Sequence, residues 1–92
     1  VDKISSEAKI KNNLGLHARP SAVFVQAASK FDADITIERN GDIVNGKSIL
    51  GLLMLAAGHG SIIKISASGT DAHFAVATLV KLVEEDSEFN EI

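Results

Sequence analysis

Stretches of alternating hydrophobicity and stretches of helical hydrophobicity succeed one another along this chain, and their order restricts the possible folds more than any other feature. Glu7 to Lys11 sets Ala8 and Ile10 between charged neighbours, the period-two signature of a strand with one buried face. From Pro20 onward Phe24, Val25, Ala28 and Phe31 return every three or four residues, which predicts a helix with Ser21, Gln26 and Lys30 outward. Ile35-Thr36-Ile37-Glu38-Arg39 alternates strictly again. Asn40-Gly41 supplies two residues that accept positive φ, so a tight hairpin is expected, with Ile43 and Val44 on the return strand. The run Ile49 to Leu55 fits a strand or a short helix by periodicity; Ser48, placed as an N-cap, favours the helix. Gly58-His59-Gly60 reads as a loop, and Ile63, Ile65 and Ala67 alternate with Lys64 and Ser66 as a fourth strand. Ser68-Gly69-Thr70-Asp71 offers a turn and an N-cap before Ala75, Val76, Leu79, Leu82 and Val83 mark the core stripe of a last helix. The order is βαββαβα, an α+β chain whose helices cover one face of a mainly antiparallel sheet.

Ninety-two residues, 46% of them hydrophobic, with no internal repeat or linker, are read as one small domain over 1–92. The chain has no cysteine, which excludes a disulfide framework and a thiolate metal site and is compatible with a cytoplasmic location. No apolar run approaches the length of a bilayer span, and Val1-Asp2-Lys3 lacks a signal-peptide pattern. With a net charge of −3 and no basic cluster, a nucleic-acid partner is not expected. Glu84, Glu85, Asp86, Glu88 and Glu91 read as a solvated helix end and frayed terminus. His59 and His73 are expected at the surface, and neither lies at metal-ligand spacing with the other or with His17, so no metal or cofactor is predicted. Neither a Gly-x-Ser-x-Gly elbow nor a Walker-type loop is present, which argues against a hydrolase or a nucleotide-driven enzyme.

The chemistry concentrates in Gly15-Leu16-His17-Ala18-Arg19-Pro20. Proline is tolerated in a first helical turn, where amide hydrogens have no intrahelical partner to lose, so Pro20 marks a helix start with His17 at its tip. The backbone N–H groups of Ala18 and Arg19 and the positive end of the helix dipole then converge beside the imidazole, an arrangement suited to a phosphoryl group. Imidazole, with an unperturbed pKa of about 6.5, is also a competent nucleophile near neutral pH. The guanidinium of Arg19 is within reach of a phosphoryl group held there.

Together with Asn45-Gly46-Lys47-Ser48-Ile49-Leu50-Gly51, this motif resembles the histidine-containing phosphocarrier protein HPr family of the bacterial phosphotransferase system, over nearly the whole chain. The resemblance implies an open-faced β-sandwich: a four-stranded antiparallel sheet in order 1-4-2-3 with three helices on one face. It implies that His17 accepts phosphate from enzyme I and donates it to enzyme IIA proteins, with Arg19 beside it, so that the protein is a carrier with a phosphohistidine intermediate and not an enzyme with its own turnover. It further implies that Ser48 is a regulatory phosphorylation site for an HPr kinase/phosphorylase, that a transcriptional regulator is a further partner, and that Leu16, Ile49, Leu50 and Leu53 form a partner-docking surface on a monomer. Leu14 departs from the family, many of whose members carry a small polar residue there. Leu52 to Ala57 is similar to the nitrogen-related branch, which makes phosphocarrying a firmer expectation than sugar transport.

Two readings compete with the carrier. One is a regulatory interaction module of a nitrogen-related or incomplete phosphotransferase system, working through Ser48 and the apolar helix. The other is a small-ligand-binding domain of ferredoxin-like arrangement, which requires a ligand cleft and another strand order.

Overall fold

A computed structural model describes residues 3–90; the expectations placed on Val1, Asp2 and Glu91 lie outside the described residues. Asn40 and Gly41 take up φ values of +52° and +88°, the tight turn their identities predict. They join strand β2 (Asp34–Arg39) to β3 (Asp42–Asn45), with Arg39 opposite Asp42 and Ile37 opposite Val44. In numbering by chain order, β1 spans Lys3–Lys9 and β4 spans Ile62–Ser68. β4 runs antiparallel to both β1 and β2, giving the order β1-β4-β2-β3. This is the order the family resemblance implies and not the one the ferredoxin-like reading needs.

Helices α1 (Ala18–Ala28), α2 (Ile49–Leu55) and α3 (Ala72–Glu85) lie on one face of that sheet. Alternation along the strands explains the asymmetry. Ala8, Ile35, Ile37, Ile63, Ile65 and Ala67 are buried beneath the helices, whereas Glu7, Asp34 and Lys64 are exposed on the other face. The helices contribute Phe24, Leu52, Leu79 and Val83 to the same core. Each such side chain stabilises by about 1.5–3 kcal/mol on leaving water. Among the described residues no helix is long and apolar enough to cross a membrane.

Four details depart from the sequence reading. The first strand begins at Lys3 and ends at Lys9; Ile10 stays buried, but its carbonyl and amide pair with Gly60 and Ser61 instead of extending the ladder. Ser21, expected outward, is buried, its hydroxyl donating to Leu16 O at 3.4 Å. The end of the chain is not simply a solvated, frayed segment: a fourth, short helix, α4 (Ser87–Asn90), buries Phe89 and packs on α1. Asp71 holds the N-cap position of α3, but its side chain makes no capping bond. Its carboxylate accepts the amides of Asp32 and Ala33 instead, each at 2.9 Å, and so fastens the loop between α1 and β2 to the start of α3.

The Asp32 amide in particular holds the Asp71 carboxyl below its ordinary value, with Ala33, Asp71's own amide and Lys47 acting in the same sense against a smaller opposing effect of burial. A depressed folded-state pKa means stability present above the unfolded pKa and lost as pH falls through the folded one. Asp71→Asn should therefore be less stable than wild type near neutral pH, with the gap closing below about pH 4, as measured by urea midpoints across that range.

Candidate functional site

His17 is the N-cap residue of α1, with an extended backbone (φ −86°, ψ −171°) and a carbonyl that accepts the Ser21 amide at 3.0 Å. Its side chain makes no capping hydrogen bond. No capping bond from His17 therefore draws on the partial positive charge that a helix N-terminus carries. Pro20, buried as the third helical residue, has no N–H to leave unsatisfied. Arg19 stands exposed on the same first turn. The imidazole is half-buried, and its Nε2 is enclosed without a hydrogen-bond partner among the described residues.

The loop that delivers His17 is held at almost every peptide. The Asn12 side chain accepts the Leu14 amide at 2.9 Å and its carbonyl accepts the Gly15 amide at 3.1 Å. The His17 amide donates to Gly15 O at 2.9 Å, and the Leu16 amide donates to Ala57 O at 2.9 Å. Gly15 has φ +74°, and a Cβ built on it would stand 2.4 Å from Ala57 O and 2.8 Å from Gly58 Cα. Only glycine fits there, for both conformation and space.

That tie places Leu16 in the core at 5% exposure, so Leu16 is not part of any docking surface, contrary to the expectation from sequence. The apolar residue that the loop exposes is Leu14, at 61%. Periodicity could not identify it, because it lies in a turn, although a leucine between asparagine and glycine has no obvious core to join. On α2 the division is clear: Leu52 and Leu55 are buried while Ile49, Leu50 and Leu53 are exposed. Met54, missing from the expected surface, is the most exposed of them at 74%. Ile49, Leu50, Leu53 and Met54 give α2 an exposed apolar side, the kind of surface that marks protein interaction.

Ser48 caps α2 as its sequence context predicts, accepting the Gly51 amide at 3.0 Å. Beside it Lys47 extends its ammonium to Phe31 O at 2.7 Å. Ser48 and His17 are joined by α2 without sharing one site. The His17 loop meets the chain at Ala57, just past the far end of a helix about 10 Å long, while Ser48 opens the near end. His59 and His73 are both exposed. Among the described residues no group of three or more His, Cys, Asp and Glu side chains is arranged to hold a metal ion.

A family model described as the PTS HPr component phosphorylation site matches residues 4–85. The HPr-like protein Crh of Halalkalibacterium halodurans is 41% identical over 90% of this chain and 99% of its own length. Among solved structures, the phosphocarrier protein HPr of Bacillus anthracis superposes with a TM-score of 0.87 at 43% identity, covering 91% of this chain and 100% of that one. An HPr dimer from Thermoanaerobacter tengcongensis matches with a TM-score of 0.73 at 47% identity, over 90% of this chain and 93% of that one.

The geometry at Gly15 sets an expectation of its own. Gly41 also has positive φ, but a Cβ there would meet nothing within 4 Å, so alanine faces conformational strain alone. Gly15→Ala adds a backbone collision, and equilibrium denaturation should show it to be the more costly of the two, by more than about 1 kcal/mol.

Proposed function

Because this chain belongs to the HPr family of phosphotransferase-system phosphocarriers, we propose that His17 is the group that takes phosphate from enzyme I and gives it to enzyme IIA proteins. The observation that carries this reading is an imidazole at the N-cap position of α1 that makes no side-chain capping bond. The enclosed Nε2 favours Nδ1 as the nitrogen that meets a partner. The Nδ1 lone pair attacks phosphorus on the docked donor, the bond from phosphorus to the donor nitrogen breaks, and the donor nitrogen keeps that electron pair. Transfer onward reverses these roles, with the next acceptor attacking and the His17 nitrogen leaving. Positioning and charge stabilisation account for the rate, with much of the machinery supplied by the partners.

Arg19 stabilises the phosphoryl group, and the amides of Ala18 and Arg19 lend it the helix end. Charge-assisted contacts contribute about 1.5–3 kcal/mol each and the dipole about 0.3–1 kcal/mol. Such sizes suit a carrier, which must release what it holds. Ile49, Leu50 and Leu53 dock the partners, joined by Met54 and Leu14. Ser48 serves as a regulatory phosphorylation site for an HPr kinase/phosphorylase: a phosphate of about −1.5 to −2 charge beside the apolar surface weakens docking with little refolding. On this reading one chain supplies every group named on the carrier's side, and the protein acts as a monomer in the cytoplasm. Similarity to Crh favours a second reading, in which regulatory binding through α2 and Ser48 is the main task.

Incubation with enzyme I and phosphoenolpyruvate tests the first reading. Acid-labile, base-stable phosphate should appear on the wild type and be absent from His17→Ala, and a wild type that stays unlabelled leaves only the regulatory reading. Arg19→Ala should still be labelled, at a rate lower by roughly tenfold or more. Ser48→Ala should lose about 1 kcal/mol of stability through its missing cap while accepting phosphate on His17 normally; a matching loss of labelling would show that Ser48 belongs to the acceptor site.

A further inference from the structure

We propose that Asn12 is a positioning residue for His17, holding the loop in place by linking it to the C-terminal helix α4. The inference rests on the reading of His17 as phosphoryl acceptor. Asn12 is 1% exposed, one of few buried polar side chains, while its neighbour Asn13 is exposed. Burying an amide is unfavourable unless its hydrogen bonds are made. Here both ends of the amide are used. Oδ1 accepts the Leu14 amide at 2.9 Å, and Nδ2 donates to Phe89 O at 3.2 Å.

The two bonds connect segments far apart in the sequence. On one side stands the turn Asn12 to His17, closed by the Gly15 amide on Asn12 O at 3.1 Å. On the other stands α4, held by the fully buried Phe89 ring and by Asn90, whose Nδ2 donates to Asp86 O at 2.8 Å and Val83 O at 3.3 Å. The loop thus has a second anchor besides Ala57 O. Two anchors, at Asn12 and at Leu16, restrict rotation about either one, and that restriction is what a half-buried ring at a helix tip requires to present one nitrogen repeatedly in one direction. The family match ends at residue 85, so this anchor is built from chain beyond the matched stretch.

A purely structural role predicts lost stability with the His17 ring unmoved; a positioning role predicts a displaced ring. The experiment compares wild type, Asn12→Ala, Asn12→Ser and, as a control for general loosening, Ile65→Val in the sheet, all in the full chain. Histidine ring resonances are recorded without partners, and single-turnover transfer is measured from enzyme I charged with phosphoenolpyruvate. In Asn12→Ala the His17 resonances should move while those of exposed His59 and His73 stay. The transfer rate at saturating enzyme I should fall by about tenfold or more, with half-saturation changed by less because Ile49, Leu50, Leu53 and Met54 on α2 are untouched. Asn12→Ser, which keeps an oxygen for the Leu14 amide but is too short for Phe89 O, should shift His17 in the same direction by less. Serine also decides the matter if the alanine variant does not fold. Unmoved His17 resonances with an unchanged rate, or equal changes in Ile65→Val, overturn the proposal. A wild type that takes no phosphate overturns the acceptor reading instead, and the ring resonances still decide whether Asn12 positions His17.

Discussion

The close approach of the Gly15–Leu16 peptide to Ala57 and Gly58 is the contact from which the rest of the site follows. It needs a residue without a Cβ on one side and a carbonyl turned toward it on the other. The carbonyl is supplied by the way α2 ends: Ala56 sits in the left-handed region at φ +53°. For an alanine this costs about 1–2 kcal/mol, and the ties made immediately after it offset the strain. Once the two segments are joined, Leu16 must point into the core and His17 must leave the loop extended, as the residue on which α1 begins.

That arrangement explains how a fold with little aromatic bulk presents the His17 ring at a helix tip tied to the core. The helix beneath the ring is fixed to the sheet by Phe24 and Ala28, the loop before it by Ala57 and Asn12, and the surface beside it by α2, whose inner leucines are core and whose outer ones are free to meet a partner. On the proposed reading, the tied loop lies where phosphate is aligned and the exposed apolar side chains lie where a partner docks. Neither feature requires a cleft, in keeping with chemistry that takes place between two proteins and not on a small molecule enclosed by one.

Much of this was legible in the residues themselves. Asn40-Gly41 announced its turn, Ser48 its helix, and the alternation of Ile35, Ile37, Ile63 and Ile65 the buried face of the sheet, because each signal is local: a turn needs its φ values, a cap needs its oxygen, and a strand repeats every two residues. The misreadings share the opposite character. Ser21 looked like a polar outward residue until Leu16 O gave its hydroxyl a partner inside. Asp71 is the N-cap residue its context predicts, but two amides from residues far earlier in the chain claim its carboxylate. Phe89 lay in an acidic tail with no periodic companion, and its burial against α1 is a long-range event.

By itself the sequence determined the kinds and order of the elements as far as α3 and singled out His17 as the candidate for the chemistry, since periodicity, turn preference and a histidine ahead of a helical proline are properties of neighbouring residues. Tertiary structure decided the strand order, the inward turn of Leu16, the exposure of Leu14 and Met54, and the enclosure of His17 Nε2. These depend on which distant segments meet, and that is set by the packing of the whole core.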